Sequence, residues 1–276
     1  MESQELMVRA AWLYHVEGLT QAQIGERMNL TRRRVNKLLG EAMEKGVVRI
    51  SFNSSLAGNV DLEAQLCRRF GLEHAVVAPT PSNPDYMHAI IGRAAGGFLD
   101  RLIQSRRPRS IGVGWGATLR ETVHHMTRAN EPKMRIRSLM GGLTRGSEIN
   151  TFEIVHSFAK VLSAKCHYFA APIYAGSEKA HTQIMAQPVF QEFLREATAV
   201  DVSFLSVGDV TGRSLQVRYG LPAQTDIGEL VAAGAVGDLL GRYLDAQGCP
   251  VDHPLNRQVI SPDLDSYCAI PFRIIA

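Results

Sequence analysis

The chain has 276 residues, too many for a lone DNA-binding module and enough for two domains. An apolar content of 45% is that of an ordinary globular protein with a real core. The net charge of +3 excludes a polycationic body, so any affinity for nucleic acid has to come from a local basic patch.

The first helix is expected over about Gln4–Glu17 and ends at Gly18. Its apolar positions Leu6, Val8, Ala11, Trp12, Tyr14 and Val16 fit a helix better than a strand. Thr20 is placed to cap a second helix, Gln21–Met28, which sets Ile24 and Met28 on one face. Gly25 lies beside Ile24, where the missing side chain lets a second helix approach. Asn29–Leu30 makes a turn with Leu30 as its apolar plug, and Thr31 caps a third helix from Arg32 to about Lys45. Val35, Leu38, Leu39 and Ala42 share one side of that helix. Turning them inward at about 100° per residue points Arg33, Asn36, Lys37 and Gly40 outward, with Arg32 and Arg34 flanking.

That is the layout of a helix-turn-helix reader with its second helix offered to the major groove. Arginine can grip guanine with two donors and asparagine can do the same for adenine, while Arg and Lys at the edges hold phosphates. Arg-rich faces are usually just solvated. Two capped helices, a tight turn and the absence of any acidic residue between Glu26 and Glu41 argue otherwise. The DNA-contacting set is expected to be Gln21, Thr31, Arg32, Arg33, Arg34, Asn36 and Lys37. After Gly46 the alternation over Val47–Phe52 predicts a wing strand.

Asn53–Ser54–Ser55 with Gly58 is a small polar joint, which sets a DNA-binding domain at 1–52 and a second domain at 59–276. Helices are expected near Val60–Phe70, Asp85–Gln104, Thr118–Met126, Glu153–Leu162 and Val189–Thr198. Strands are expected near Ala75–Ala78, Ser110–Gly114, Met134–Leu139, Cys166–Ala170 and Asp201–Val207. The alternation predicts an α/β domain with a mainly parallel sheet.

Its main chemical signal is Ile111-Gly-Val-Gly-Trp-Gly-Ala-Thr118-Leu119, an apolar strand running into a glycine-rich turn that opens a helix. Amides at the helix start, with the Thr118 hydroxyl, would favour a phosphate or other anion. The spacing is neither the dinucleotide fingerprint nor a Walker loop, and a purely structural strand–helix joint satisfies it equally. Met140-Gly141-Gly142-Leu143-Thr144-Arg145 and Val207-Gly208-Asp209 are two further glycine-rich strand ends, which argues for one shared pocket at the carboxyl ends of the strands. Asp238, in Gly234-Ala-Val-Gly237-Asp238-Leu-Leu-Gly241, is either an acceptor for ligand hydroxyls or a surface carboxylate on a helix.

The helix-turn-helix, GVGWGATL, the MGG strand end and GAVGDLLGRYLDAQG, with Asp238 followed by Asp245 and Gly248, resemble the SorC family of sugar-binding transcriptional regulators over nearly the whole chain. MGGLTR is similar to the erythritol-responsive branch. The resemblance implies a winged DNA-binding domain joined to an effector domain with the fold of ribose-5-phosphate isomerase and glucosamine-6-phosphate deaminase. It also implies operator DNA as a partner, a sugar, polyol or sugar-phosphate effector, and a homodimer or homotetramer. Carried over by motif, Gly114, Gly116, Ala117 and Thr118 would hold the phosphate end, Gly141 and Gly142 would line the pocket, and Asp238 would read hydroxyls. Family members continue past the strand at Ile270–Ala276 with a lysine-bearing segment, so the chain is expected to be shortened at its C-terminus.

Two other classes compete. An isomerase or deaminase would need an acid–base pair, and Glu148, Glu153, His156, Asp209 and Asp238 form no recognisable constellation. His124 and His125 are adjacent on a helix and point apart, so they make a poor metal pair. An architectural DNA binder would not need the glycine loop or Asp238. No cofactor, metal or catalytic residue is expected. The four cysteines, Cys67, Cys166, Cys249 and Cys268, have no metal-ligand spacing and are expected to be buried reduced thiols. The N-terminus has no apolar signal core and no stretch approaches membrane-spanning length, which predicts a soluble cytoplasmic protein with no membrane partner.

Overall fold

The computed structural model describes residues 2–48, 57–143, 150–212 and 214–276. The chain divides into two compact units, Met1–Ala75 and Val76–Ala276.

In the first unit α1 (Glu2–His15), α2 (Gln21–Met28) and α3 (Arg32–Glu44) enclose a small core of Met7, Ala10, Leu13, Ile24, Val35, Leu38 and Ala42. The face of α1 carrying Met7, Ala10 and Leu13 turns inward and leaves Val8, Trp12 and Val16 exposed. Thr20 caps α2 in a full capping box with Gln23, and Asn29 ends it in the left-handed conformation at φ 53°. Helix α4 (Ala57–Phe70) completes the unit. Of the expected wing, Val47 and Val48 form a bend and residues 49–52 lie outside the described residues, as does most of the joint at 53–58.

The second unit is built on a five-stranded parallel sheet. Helix α5 (Met87–Arg106) precedes β1 (Ser110–Val113), α6 (Ala117–His125), β2 (Arg135–Ser138), α7 (Thr151–Leu162) and β3 (Lys165–His167). Helices α8 (Glu178–Met185) and α9 (Pro188–Thr198) lead to β4 (Val202–Leu205). Then come β5 (Gly208–Asp209), α10 (Ile227–Ala232), β6 (Gly237–Leu239), β7 (Arg242–Leu244), α11 (Leu264–Cys268) and β8 (Phe272–Ile275). The large sheet runs β3-β2-β1-β4-β8, and β5-β6-β7 form a small antiparallel one.

The buried-type strands are explained by burial on both faces. Ile111, Val113, Ile136, Val202 and Phe204 pack with Leu119, Val123 and Phe158 of α6 and α7, and Leu139, Leu205, Tyr174 and Tyr243 form a second core. Helix α5 lies close on α6 because Gly92 and Gly96 have no side chains. A Cβ at Gly92 would come 2.5 Å from the Glu121 Cβ, and one at Gly96 would come 3.0 Å from the Thr122 carbonyl oxygen.

Three expectations are corrected. Ala75–Ala78 belongs to neither sheet, and Val76 is half exposed, so a short β-branched run without a ladder partner stays extended coil. Asp238 lies on a strand, not a helix. The cysteines are free thiols as expected, but only Cys67 and Cys166 are partly covered, while Cys249 and Cys268 are exposed.

Candidate functional site

In the first unit the interface residues gather on α3. Thr31 stands at its N-cap with its hydroxyl accepting the Arg34 N–H at 3.2 Å. Arg32, Arg33, Asn36, Lys37 and Gly40 are exposed and Arg34 is half-buried, while Val35, Leu38, Leu39 and Ala42 are buried beneath them. Gln21, at the start of α2, donates from its Nε2 to Asn36 Oδ1 at 3.4 Å and so joins the two helices at this surface. Lys37 lies 3.9 Å from Glu41, and the first turn of α3 carries no acidic residue. The surface therefore offers guanidinium and amide donors on a rigid helix, the groups that reach base edges and phosphates in a major groove. Gly25 acts differently from expectation. A Cβ there would sit 2.6 Å from the Leu30 carbonyl oxygen, so the glycine admits the turn itself and not a second helix.

In the second unit the sheet order creates the site. Successive strands step away from β1 in one direction to β2 and β3, then the chain returns to β1's other side with β4. Ligands of such sheets bind beyond the carboxyl ends of the strands where the order reverses. Both ends that flank this reversal, Gly114–Thr118 after β1 and Leu205–Asp209 after β4, line one cavity of about 650 Å³. Gly116 holds φ +126° and caps α6 without a side-chain hydrogen bond, so the amides of the first turn face no capping side chain. A Cβ on Gly114 would meet Leu205 at 2.8 Å.

Thr118 is buried beside the cavity, with its hydroxyl 3.0 Å from His88 Nδ1 at the start of α5. His88 and Arg218 also line the cavity, and sequence reasoning missed both. The glycine pair Gly92 and Gly96, which seats α5 on α6 and brings His88 to Thr118, was the available signal. Arg218 lies in the π-helical turn Gln216–Gly220, which has no periodicity to reveal it.

Asp238 reaches the same cavity from β6, opposite Gly208 in the small sheet. Its Oδ2 accepts the Gly241 N–H at 3.2 Å, and a Cβ at Gly208 would lie only 2.0 Å from its Oδ1. Burial, with the nearby Asp209 charge, pushes its pKa up to about 7 against the pull of the Gly241 amide. The Tyr174 hydroxyl donates to the Gly241 carbonyl at 2.6 Å and accepts from Gln216 Nε2 at 2.7 Å, which fixes the turn that holds Asp238. Asp245 and Gly248 serve a neighbouring turn. The Asp245 carboxylate accepts the Gln247 and Cys249 amides, and Gly248 takes φ +81°.

Gly141 and Gly142 do not line the cavity, contrary to expectation; Met140 does. Strand β2 lies one position further from the reversal, and both glycines are consumed by packing. A Cβ would come 2.1 Å from the Pro172 carbonyl oxygen at Gly141 and 2.8 Å from Asn150 at Gly142. Of the acid–base candidates, Asp209 and Asp238 line the cavity. Glu153 accepts from the Ser157 hydroxyl and His156 stands 3.5 Å from Tyr168 OH, both on α7, while Glu148 lies outside the described residues. His124 faces Glu121 at 3.7 Å, and no metal-ligating cluster occurs among the described residues. No described helix is long and apolar enough to cross a membrane.

Comparison with known proteins joins these surfaces. The Sugar-bind family, a sugar-binding domain, matches residues 54–276, and region 4 of sigma-70 matches residues 4–45. The transcriptional regulator LsrR of Escherichia coli strain SMS-3-5 is 30% identical over 280 residues, covering 99% of this chain and 84% of that protein. The erythritol catabolism regulatory protein EryD of Brucella abortus is 26% identical over 261 residues, covering 95% and 83%. The full-length sorbitol operon regulator SorC from Klebsiella pneumoniae superposes with a TM-score of 0.72 at 24% identity, over 98% of this chain and 87% of that one.

Proposed function

The chain belongs to the SorC family of sugar-binding transcriptional regulators, and from that premise we propose that its operator affinity is set by a polyhydroxy effector held in the cavity of the second unit. In this reading residues 1–52 form the DNA reader and 59–276 the sensor. The protein works in the cytoplasm as a homodimer or homotetramer on a pseudo-palindromic operator, so that two recognition helices reach successive major-groove faces. The effector is a sugar, polyol or sugar phosphate from the pathway whose operon is controlled. Gly114, Gly116, Ala117 and Thr118 hold its anionic or hydroxyl end, with His88 and Arg218 beside them, and Asp238 reads hydroxyls.

The observation that carries this reading is the meeting of the β1 and β4 ends on one cavity, with Asp238 in its wall, in a chain that also carries an exposed arginine-rich helix. Regulation then needs only a difference in effector affinity between the DNA-competent and DNA-incompetent arrangements. Asp238 has a pKa suited to proton transfer, but a fold shared with enzymes does not carry their activity, and the relatives compared are named as regulators. Steady turnover of a sugar phosphate by the purified chain would replace this reading with a catalytic one.

The reader is tested by Arg33→Ala. Loss of a bidentate base contact is expected to weaken specific operator binding by about 1–3 kcal/mol and to relax sequence preference at one position. An unchanged footprint and affinity would remove Arg33 from base recognition.

A further inference from the structure

Helix α4 is amphipathic. Val60, Ala64, Cys67 and Phe70 lie toward one side at about 100° per residue, and Gln65 and Arg69 lie away from it. Yet no residue of α4 joins the core of its unit, and Val60, Leu62, Leu66 and Phe70 are 50%, 48%, 37% and 62% exposed. A helix of 14 residues has little stability of its own in water, so this face calls for a covering surface.

The charges say which. Asp61 and Arg68 are seven residues apart, two turns along one edge of the apolar face. A second α4 lying antiparallel sets each Asp61 beside Arg68 of the partner subunit, twice over, and opposes the two helix dipoles. A parallel copy would set each charge level with its own kind. The same register lays Phe70 of one copy toward Val60 of the other and crosses the helices at Ala64, where a small side chain lets the backbones approach.

We infer that α4 is a self-association helix, paired antiparallel with α4 of a second copy through Val60, Ala64 and Phe70 and aligned by Asp61 and Arg68. The pairing rests on the symmetric-oligomer reading above and places one of its contacts beside the reader. Two-fold pairing at this point would carry two recognition helices together.

Light scattering of the full-length chain over a dilution series, without DNA, tests it. Phe70→Glu should drive the protein to a smaller assembly at concentrations where the native chain stays associated, with its thermal melt retained because Phe70 is exposed. Asp61→Lys and Arg68→Glu should each raise the dissociation constant roughly fivefold, the range of two exposed ion pairs. The double variant Asp61→Lys/Arg68→Glu should return it close to the native value. A native oligomer that Phe70→Glu leaves unchanged, as it would if another surface covers α4, overturns the α4 interface alone. A double variant no better than either single one overturns the antiparallel register. A native chain that is monomeric throughout overturns the oligomer reading as well.

Discussion

Gly116→Asp combined with Thr118→Val is expected to abolish the effector response while leaving effector-free operator binding intact. The aspartate puts a negative side chain where amides of α6 await an anion, and the valine removes the hydroxyl that meets His88. Gly116 at φ +126° also tolerates no side chain without strain, which is expected to cost about 1–3 kcal/mol of stability. The informative readout is therefore the change in operator affinity on adding each member of a panel of sugars, polyols and their phosphates. If the double variant responds as the native chain does, the glycine loop is only a strand–helix joint. The reader and the loop lie in separate units, so loss of operator binding itself would also contradict the assignment.

The second large effect belongs to Asp238. Its folded pKa of about 7 lies above the ordinary carboxylate value near 3.8, so the folded state favours the protonated form. The stability contributed by that proton is fully present below about pH 4, is lost progressively as pH rises to about 7, and is flat beyond. Three pH units correspond to at most about 4 kcal/mol. Asp238→Asn keeps an acceptor for the Gly241 amide and removes the charge. Melting curves between pH 4 and 8 are expected to show the variant gaining on the native chain as pH rises. Parallel curves would mean that Asp238 ionises without penalty. Because ligand hydroxyls donate best to the ionised carboxylate, effector affinity in the native chain should rise as pH passes 7, and the variant should lose that dependence.

The N-terminal reader was almost entirely legible in the sequence. Its limits are written in side chains that act locally: Thr20 and Thr31 cap, Asn29 takes the left-handed turn, and Val35, Leu38 and Ala42 mark the inward face. The parallel strands from Ser110 to Leu205 were legible because burial on both faces leaves short apolar runs between helices. The β5-β6-β7 sheet was not. Its strands are two or three residues long and hold together through Gly208, Gly237 and the Asp238 carboxylate, a pattern with no period. The same cause hid Arg218. Gly141 and Gly142 misled because a glycine needed for tight backbone packing looks, in sequence, like a glycine that admits a ligand. Strand order distinguishes them: Gly114 and Gly116 follow the strand at the reversal, and the other pair follows its neighbour.

The central claim is that one molecule couples the cavity to the reader. The direct measurement is operator affinity with and without the sugar, polyol or sugar phosphate that most raises the chain's melting temperature, paired with the affinity for that compound with and without operator. Linkage requires both affinities to change by the same factor, expected at roughly 5- to 150-fold. A compound that stabilises the chain strongly yet leaves operator affinity unchanged would contradict the account.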